Sequence, residues 1–369
     1  MEFFPGRRDY YDGCTANVTV EAGKTATVTA TLPWRKGSPW SAWSAGTLVG
    51  KDYAARSPCL QTIDDAPAIV ADDGAVRVFW SREGDLWCAT STDGQTFSPP
   101  AKIPIPVSSG WIEQDPLCLH DESGRFLLVF RSDREGQHRM RAYVCWSRNA
   151  RNWSRPSMVV DRPVGQFHMI QDRRGRYIWA DSTGATVTVL VSRDAYRWET
   201  SAKLPLAGDA ASVCILQRAD GKYELMAESI RYPSKHKDVE WARTAALRWL
   251  SSDAAKWSAP ETITELPFRN YGYLCATHVD RSTVLFYFGS NPFGGAGNIL
   301  RMFREKPGGG WRAGPGQEWL LTTYGTMTSH PKWGYMTAWS VPPNMQFAVP
   351  GKGPYFMRGK SVDQFLEEP

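Results

Sequence analysis

The sequence predicts an all-β propeller of six blades, each a sheet of four antiparallel strands, with five blades as the alternative count. Three observations lead there. A turn of the form Ser-x-(Asp or Asn)-x-x-x-(Trp or Phe) recurs four times. Its aromatic ends, Phe97, Trp153, Trp198 and Trp257, lie 56, 45 and 59 residues apart, and a period of that order marks stacked or radial repeats. Two apolar runs joined by a tight turn precede each copy, and helical periodicity is nearly absent. Gly and Pro together number 57 of 369 residues, which suits many short strands and tight turns.

The first pair of strands in each repeat is read in PAIVADDGAVRVFWS (67–81), PLCLHDESGRFLLVFRS (116–132), FHMIQDRRGRYIWADS (167–182) and VCILQRADGKYELMAES (213–229). The turns DDG, ESG, RRG and ADG are hairpin signals between alternating apolar runs. A third strand leads into each Ser-x-Asp turn, as in DLWCATS, RAYVCWS, TVTVLVS and AALRWLS, and a fourth follows the aromatic. Four antiparallel strands make a propeller blade. In the turn itself, Asp93, Asn149, Asp194 and Asp253 can accept backbone N–H bonds, and the aromatic then plugs the space beneath. Two further blades lack the turn signature. One runs from YLCATHVDRSTVLFYFGS (273–290) to Trp311, the other from GTMTSHPKWGYMTAWS (325–340) to PYFMRG.

Residues 1–37 fall outside this pattern. VTVEAGKTATVTATL alternates cleanly, like the last strands of a small β-sandwich module, so this segment is expected to be the remnant of an accessory domain plus a linker. The propeller is expected over 38–369, with RKGSPWSAWSAG (35–46) as linker or outer closing strand.

Composition excludes several functions. No run of about 18 apolar residues exists, so no membrane span is expected. The opening MEFFPGRRDYYDGC shows no signal core, although a secreted or periplasmic location is expected. Net charge is +5, yet Lys and Arg are scattered among acidic residues, and no basic block of the kind that tracks phosphates appears. Nucleic acid is not an expected partner. Seven Cys, with no C-x-x-C pair and no His-rich neighbour, argue against a zinc site. They read as buried thiols acting as small hydrophobes. No cofactor or metal is expected, and the chain is expected to act as a monomer.

Ser-x-Asp-x-x-x-Trp turns at blade spacing resemble the Asp boxes of sialidases and related BNR-repeat propellers, over about residues 55–360. In that family the boxes lie on the face away from the catalytic centre, so the resemblance implies a fold and leaves function to other residues. It also implies that the first strand of each blade lines the central channel and starts at the binding face. Nine residues before each hairpin Gly stand Asp65, Asp115, Gln166 and Ser212, and the same count in the sixth blade reaches Gly325, beside Tyr324.

The sialidase chemistry implied by the resemblance is three Arg on a carboxylate, a Tyr–Glu nucleophile pair and an Asp acid/base. The first Arg belongs where Asp65-Ala66-Pro67 stands, and an Asp there repels an anionic substrate. The Glu partner belongs near Ser212 and a second Arg near Glu228, so neither position matches. Arg231 and Arg301 could stand in after a loop shift. Asp85 in REGD matches the acid/base loop and Tyr324 the nucleophile strand. Sialic acid is therefore not the expected substrate.

What remains at the mouth is acidic: Asp65, Asp115, Asp85 and Glu228. Glycoside hydrolysis needs two carboxyl groups, one to donate a proton and one to act as base or nucleophile. An exo-acting glycoside hydrolase on an oligosaccharide follows, with Asp65, Asp115, Asp85, Tyr324 and Glu228 as candidate catalytic groups. Candidate substrate contacts are Gln166, His168, Arg231, Arg131, Arg301 and Trp111, with Trp241 and Trp339 as further stacking rings. Two alternatives stand beside it: a non-catalytic propeller that binds glycan or protein, and a polysaccharide lyase with Tyr324 or His168 as base. His138, His236 and His278 are expected in turns or on the surface.

Overall fold

The computed structural model describes residues 47–48, 67–82, 84–106, 111, 113–133, 140–231, 243–266, 273–279, 282–290, 298–314, 317–319, 324–340 and 355–359. They form six antiparallel sheets, the six-bladed count. The expected accessory segment 1–37 and the stretch 35–46 lie outside the described residues. The ring closes just after them: β1 (Thr47–Leu48) pairs with the last described strand, Thr47 opposite Phe356.

Blade one is β2 (Ala68–Ala71), β3 (Val76–Arg82), β4 (Asp85–Ser91) and β5 (Ala101–Lys102). Blade two is β6 (Glu113–His120), β7 (Phe126–Ser132), β8 (Arg141–Ser147) and β9 (Ser157–Met158). Blade three is β10 (Phe167–Gln171), β11 (Tyr177–Thr183), β12 (Thr186–Ser192) and β13 (Glu199–Pro205). Blade four is β14 (Asp209–Gln217), β15 (Tyr223–Arg231), β16 (Arg243–Ser251) and β17 (Glu261–Leu266). Blade five is β18 (Tyr273–Val279), β19 (Ser282–Ser290) and β20 (Asn298–Glu305), its outer strand split into β21 (Trp311–Ala313) and β22 (Gln317–Trp319). Blade six is β23 (Tyr324–His330), β24 (Gly334–Ser340), β25 (Tyr355–Gly359) and β1.

The Ser-x-Asp turns close as their chemistry requires. Ser91 Oγ donates to Asp93 Oδ1 at 2.8 Å, and that same oxygen accepts the N–H groups of Gln95 and Thr96 at 2.7 Å each. The backbone donors of Thr96 and Gln95, then the Ser91 hydroxyl, hold the Asp93 carboxyl well below its usual range. The next residue must turn left-handed: it is Gly94 in blade one, but Ala150, Ala195 and Ala254, at φ 54°, 67° and 65°, in the next three. The following aromatic seals the core shared with the preceding blade. Phe97 meets Phe356 edge-on at 5.1 Å, and Trp153 meets Phe79 at 6.2 Å.

A second repeat, not read from the sequence, ties neighbouring blades at the same end. Asp121 pairs with Arg125, and Tyr177 of blade three donates to Asp121 Oδ2 at 2.8 Å. One blade on, Asp172 pairs with Arg176, and Tyr223 of blade four donates to Asp172 Oδ2 at 2.7 Å. Between blades one and two the ring is Phe126 of blade two, so the Arg77 guanidinium lies over it at 4.6 Å instead. Between blades four and five Thr283 stands in the tyrosine position, and buried Glu224 is shared by Arg218, Arg248 and Thr283.

The register places Ser91 opposite Val76 and Ser147 opposite Phe126, beside the first hairpins. Ser-x-Asp turns and first hairpins therefore share one face, and the starts of the first strands open on the other. Those strands surround a cavity of about 470 Å³ along the axis, with Cys118, Met169, Cys275 and Met327 in its wall. Cys118, Cys145, Cys214 and Cys275 are buried free thiols and Cys88 is half-buried.

Candidate active site at the channel mouth

The first strand of blade two does not run straight into the channel. Its pairing with β7 skips between Gln114 and Leu117, a bulge that holds Asp115. Asp115 adopts φ 49° directly before Pro116, a left-handed conformation that costs an L residue roughly 1–2 kcal/mol. Every other non-glycine residue with positive φ among the described residues sits in a Ser-x-Asp turn. Among the described residues Asp115 alone has this geometry at the channel mouth, where it lines the cavity with Pro67, Gln166 and Ser212.

Asp115 is 5% exposed and forms an ion pair with Arg131 of β7 through Oδ2 and Nη2. The same guanidinium reaches the Val164 and Gly165 carbonyls at 3.5 and 3.4 Å, where the chain passes into blade three. Arg131 thus serves as a strut between blades as well as a counter-charge for Asp115.

Two residues earlier, Glu113 is buried at the junction of blades one and two, opposite Ser132. Leu86 donates its backbone N–H to Glu113 Oε2 at 3.3 Å. Burial pushes this carboxyl up to about 7, the Asp85 charge adds to the rise, and the Leu86 N–H and Lys102 oppose it. Sequence reasoning missed Glu113, which stands three residues before the apolar run that opens at Pro116. Glu113 lies outside the nine-residue count that picked out Asp115.

Asp85 opens β4 half-buried, with Lys102 Nζ 2.7 Å from Oδ1. Glu228 is fully buried in β15 and accepts from Ser212 Oγ at 3.2 Å, while that hydroxyl accepts the Leu274 N–H of blade five at 3.2 Å. The structure thus places Glu228 behind Ser212 rather than in the cavity wall. A further acid not singled out from the sequence, Asp181 of β11, is buried under Arg162, which donates two bonds of 2.8 Å.

His168 does line the channel. Its Nδ1 accepts the Ile215 N–H at 3.3 Å, which leaves the proton of the neutral ring on Nε2. Burial pushes this imidazole down to about 4. Trp111 packs against Tyr143 with ring centroids 4.8 Å apart, in the core of blades one and two. Arg231 ends β15 exposed. Tyr324 opens β23 opposite Ser340, and Arg301 lies within β20 opposite Tyr287. His278, expected in a turn or on the surface, lies instead within β18 with Nε2 3.3 Å from Glu224. Asp65, Trp241, His138 and His236 lie outside the described residues. Asp115, Gln166, His168 and Ser212 are the sequence candidates that share the cavity.

No protein-family model matches this chain, and no curated protein sequence does. Solved structures do match. An exo-β-1,3-galactanase from Clostridium thermocellum, 1,3Gal43A, is 13% identical over 74% of this chain, with a TM-score of 0.51. This chain spans 65% of that enzyme's length. A protein of unknown function from Dyadobacter fermentans is 14% identical, covering 85% of this chain and 97% of its own, at TM-score 0.53. A structure described as NanB plus Optactamide is 10% identical, covering 88% of this chain and 71% of its own, at TM-score 0.62. At these identities the likeness is one of fold.

Proposed function

We propose that this chain is a carbohydrate-active enzyme of the glycoside hydrolase class, working at the channel mouth with Asp115 as the carboxylate that meets the sugar. One observation carries the reading. A strained, buried, charge-paired aspartate stands at the mouth of the axial cavity, and backbone strain outside regular turns gathers at functional sites. Hydrolysis of a glycosidic bond needs one ionised and one protonated carboxyl. Asp115 lies against a guanidinium, and Glu113 on the same strand keeps its proton up to about pH 7. Environments that separate two carboxyls in this way suit division of the acid and base roles. His168, neutral at that pH, can donate from Nε2 to a sugar hydroxyl.

An axial cavity of about 470 Å³ walled by first strands suits the end of a chain rather than its middle, which supports exo action. The galactanase neighbour acts on a glycan end by its own description, in keeping with this reading. We read the chain as a member of the sialidase-like propellers, placed outside the cytoplasm where glycan polymers occur and acting as a monomer. Residues 1–37 are then the end of an accessory module. Asp65, Asp85 and Tyr324 keep their proposed place around the same mouth, with Arg231 and Arg301 on its rim.

A second reading rests on Arg131. A guanidinium that neutralises Asp115 and braces two carbonyls of blade three also suits a rigid mouth that binds glycan without cutting it. A glycan panel with product detection separates the readings. Cleavage by water that vanishes in Asp115→Asn supports the hydrolase, binding without product supports the second, and an unsaturated product indicates a lyase.

A further inference from the structure

The face opposite the mouth carries charge that the sequence scatters and the fold collects. Arg148 and Arg151 stand exposed in the Ser-x-Asn turn of blade two, and Arg155 two residues past its Trp153. Arg173 and Arg174 stand exposed in the first hairpin of blade three, and Arg193 and Arg197 in its Ser-x-Asp turn. These segments adjoin. Arg125 of blade two donates to the Tyr177 hydroxyl of blade three at 2.8 Å, and Tyr196 packs in the core that the two blades share.

None of these seven arginines forms an ion pair among the described residues; Arg173 donates from its guanidinium to the Ala219 carbonyl at 2.8 Å. The face's other guanidiniums differ, since Arg125 and Arg176 are neutralised by Asp121 and Asp172. The exposed acids of the same segments are Glu122, Asp194 and Glu199, which leaves an excess of four positive charges, and Asp220 of the next hairpin already pairs with Arg218 and Lys222.

We propose that this surface anchors an anionic polysaccharide, a linear polymer bearing carboxylate groups, on the side away from the channel mouth. The charge sits on Arg rather than Lys, and the guanidinium fork matches a carboxylate with two parallel hydrogen bonds. The rings of the face are turned inward. Trp153 is 7% exposed, and Trp198 spends its Nε1–H on the Ala195 carbonyl at 3.0 Å. Stacking platforms of the kind that hold single-stranded nucleic acid are therefore missing among the described residues. A reverse-face anchor would keep the mouth free while the protein stays on a polymer matrix. That advantage rests on the proposed glycosidase, but the binding itself does not.

The test uses the full chain and three probes: polygalacturonate, a neutral arabinan of similar length, and duplex DNA. A five-fold variant, Arg148→Ser, Arg151→Ser, Arg173→Ser, Arg193→Ser and Arg197→Ser, removes the charge and leaves the turn-forming Ser, Asn and Asp untouched. Wild type should bind polygalacturonate, and more weakly as salt rises, because exposed charges are screened within about 10 Å at 0.1 M. The variant should lose at least about tenfold in affinity, the combined effect of several exposed ion pairs. Its melting temperature and its turnover of a short neutral oligosaccharide should match wild type. Unchanged affinity in the variant, equal binding to arabinan, or tighter binding to DNA than to polygalacturonate would each overturn the proposal. Loss of the hydrolase reading with polygalacturonate binding intact would leave it standing.

Discussion

Asp115 tests the site from two directions, because its backbone strain and its charge act with opposite sign on stability. Asp115→Asn removes the partner of Arg131, whose side chain is 15% exposed. Breaking a buried ion pair costs about 3–5 kcal/mol. The Val164 and Gly165 carbonyls still receive the guanidinium, so the low end, about 3 kcal/mol, applies. Asp115→Gly loses the same pair but relieves φ 49° before Pro116, recovering about 1 kcal/mol. Asp115→Ala loses the pair and keeps the full left-handed penalty. The expected order in urea unfolding is Gly above Asn above Ala, spread over about 2 kcal/mol. Turnover should fall by about 10²–10⁴ in all three, the worth of a positioned acid or base. Adding Arg131→Met to Asp115→Gly removes the unpaired charge and should restore part of the stability while turnover stays lost. If turnover returned with stability in that double variant, Asp115 would be a strut and the catalytic assignment would fall. An Asn variant as stable as wild type would sink the ion-pair argument instead.

Three further outcomes follow from the same structure. Glu113, raised from 4.5 to about 7, favours the folded state below pH 4.5 and loses that contribution as pH rises through 7. His168, lowered from 6.5 to about 4, does the reverse, disfavouring the folded state as pH falls below 6.5. Each is worth about 3 kcal/mol, so unfolding by urea should show a nearly flat wild type between pH 4.5 and 6.5. Glu113→Gln should then gain stability with rising pH and His168→Gln should lose it; parallel curves would contradict both. Ala150→Gly, at φ 54° and only half-buried, should stabilise by about 1 kcal/mol, read as a raised urea midpoint. Trp153→Ala, 7% exposed and edge-on to Phe79, should cost about 3–5 kcal/mol. Glycan affinity of its folded fraction should not change, and an affinity loss without destabilisation would mean that the faces are reversed.

The blades were legible because their signals are local. A Ser-x-Asp turn is closed by atoms within six residues, as at Ser91–Thr96, and a hairpin by its own Asp and Gly, as at Asp72–Gly74. Four such copies fix strand count and direction before any packing is known. Counting nine residues back from the hairpin Gly found Asp115, Gln166 and Ser212 at one mouth for the same reason: equivalent positions in successive blades face one axis. The count could not see the bulge after Gln114, which turns Asp115 left-handed, nor Glu113 two residues before it. Glu228, taken as a mouth residue from the resemblance and not from the count, lies behind Ser212.

Single residues acquired their roles only across blades. Tyr177 and Tyr223 read as strand aromatics, yet each closes a bond to an aspartate more than fifty residues away. The arginines of blades two and three look dispersed along the chain because 49 residues separate Arg148 from Arg197. On the structure they stand on one face, since both Ser-x-Asp turns and the hairpin between them end strands that run the same way. The sequence by itself determined the repeat, and with it the propeller. Tertiary structure decided which side chains meet, because a charge, a strained φ or a buried carboxyl is defined by neighbours that the local chain does not contain.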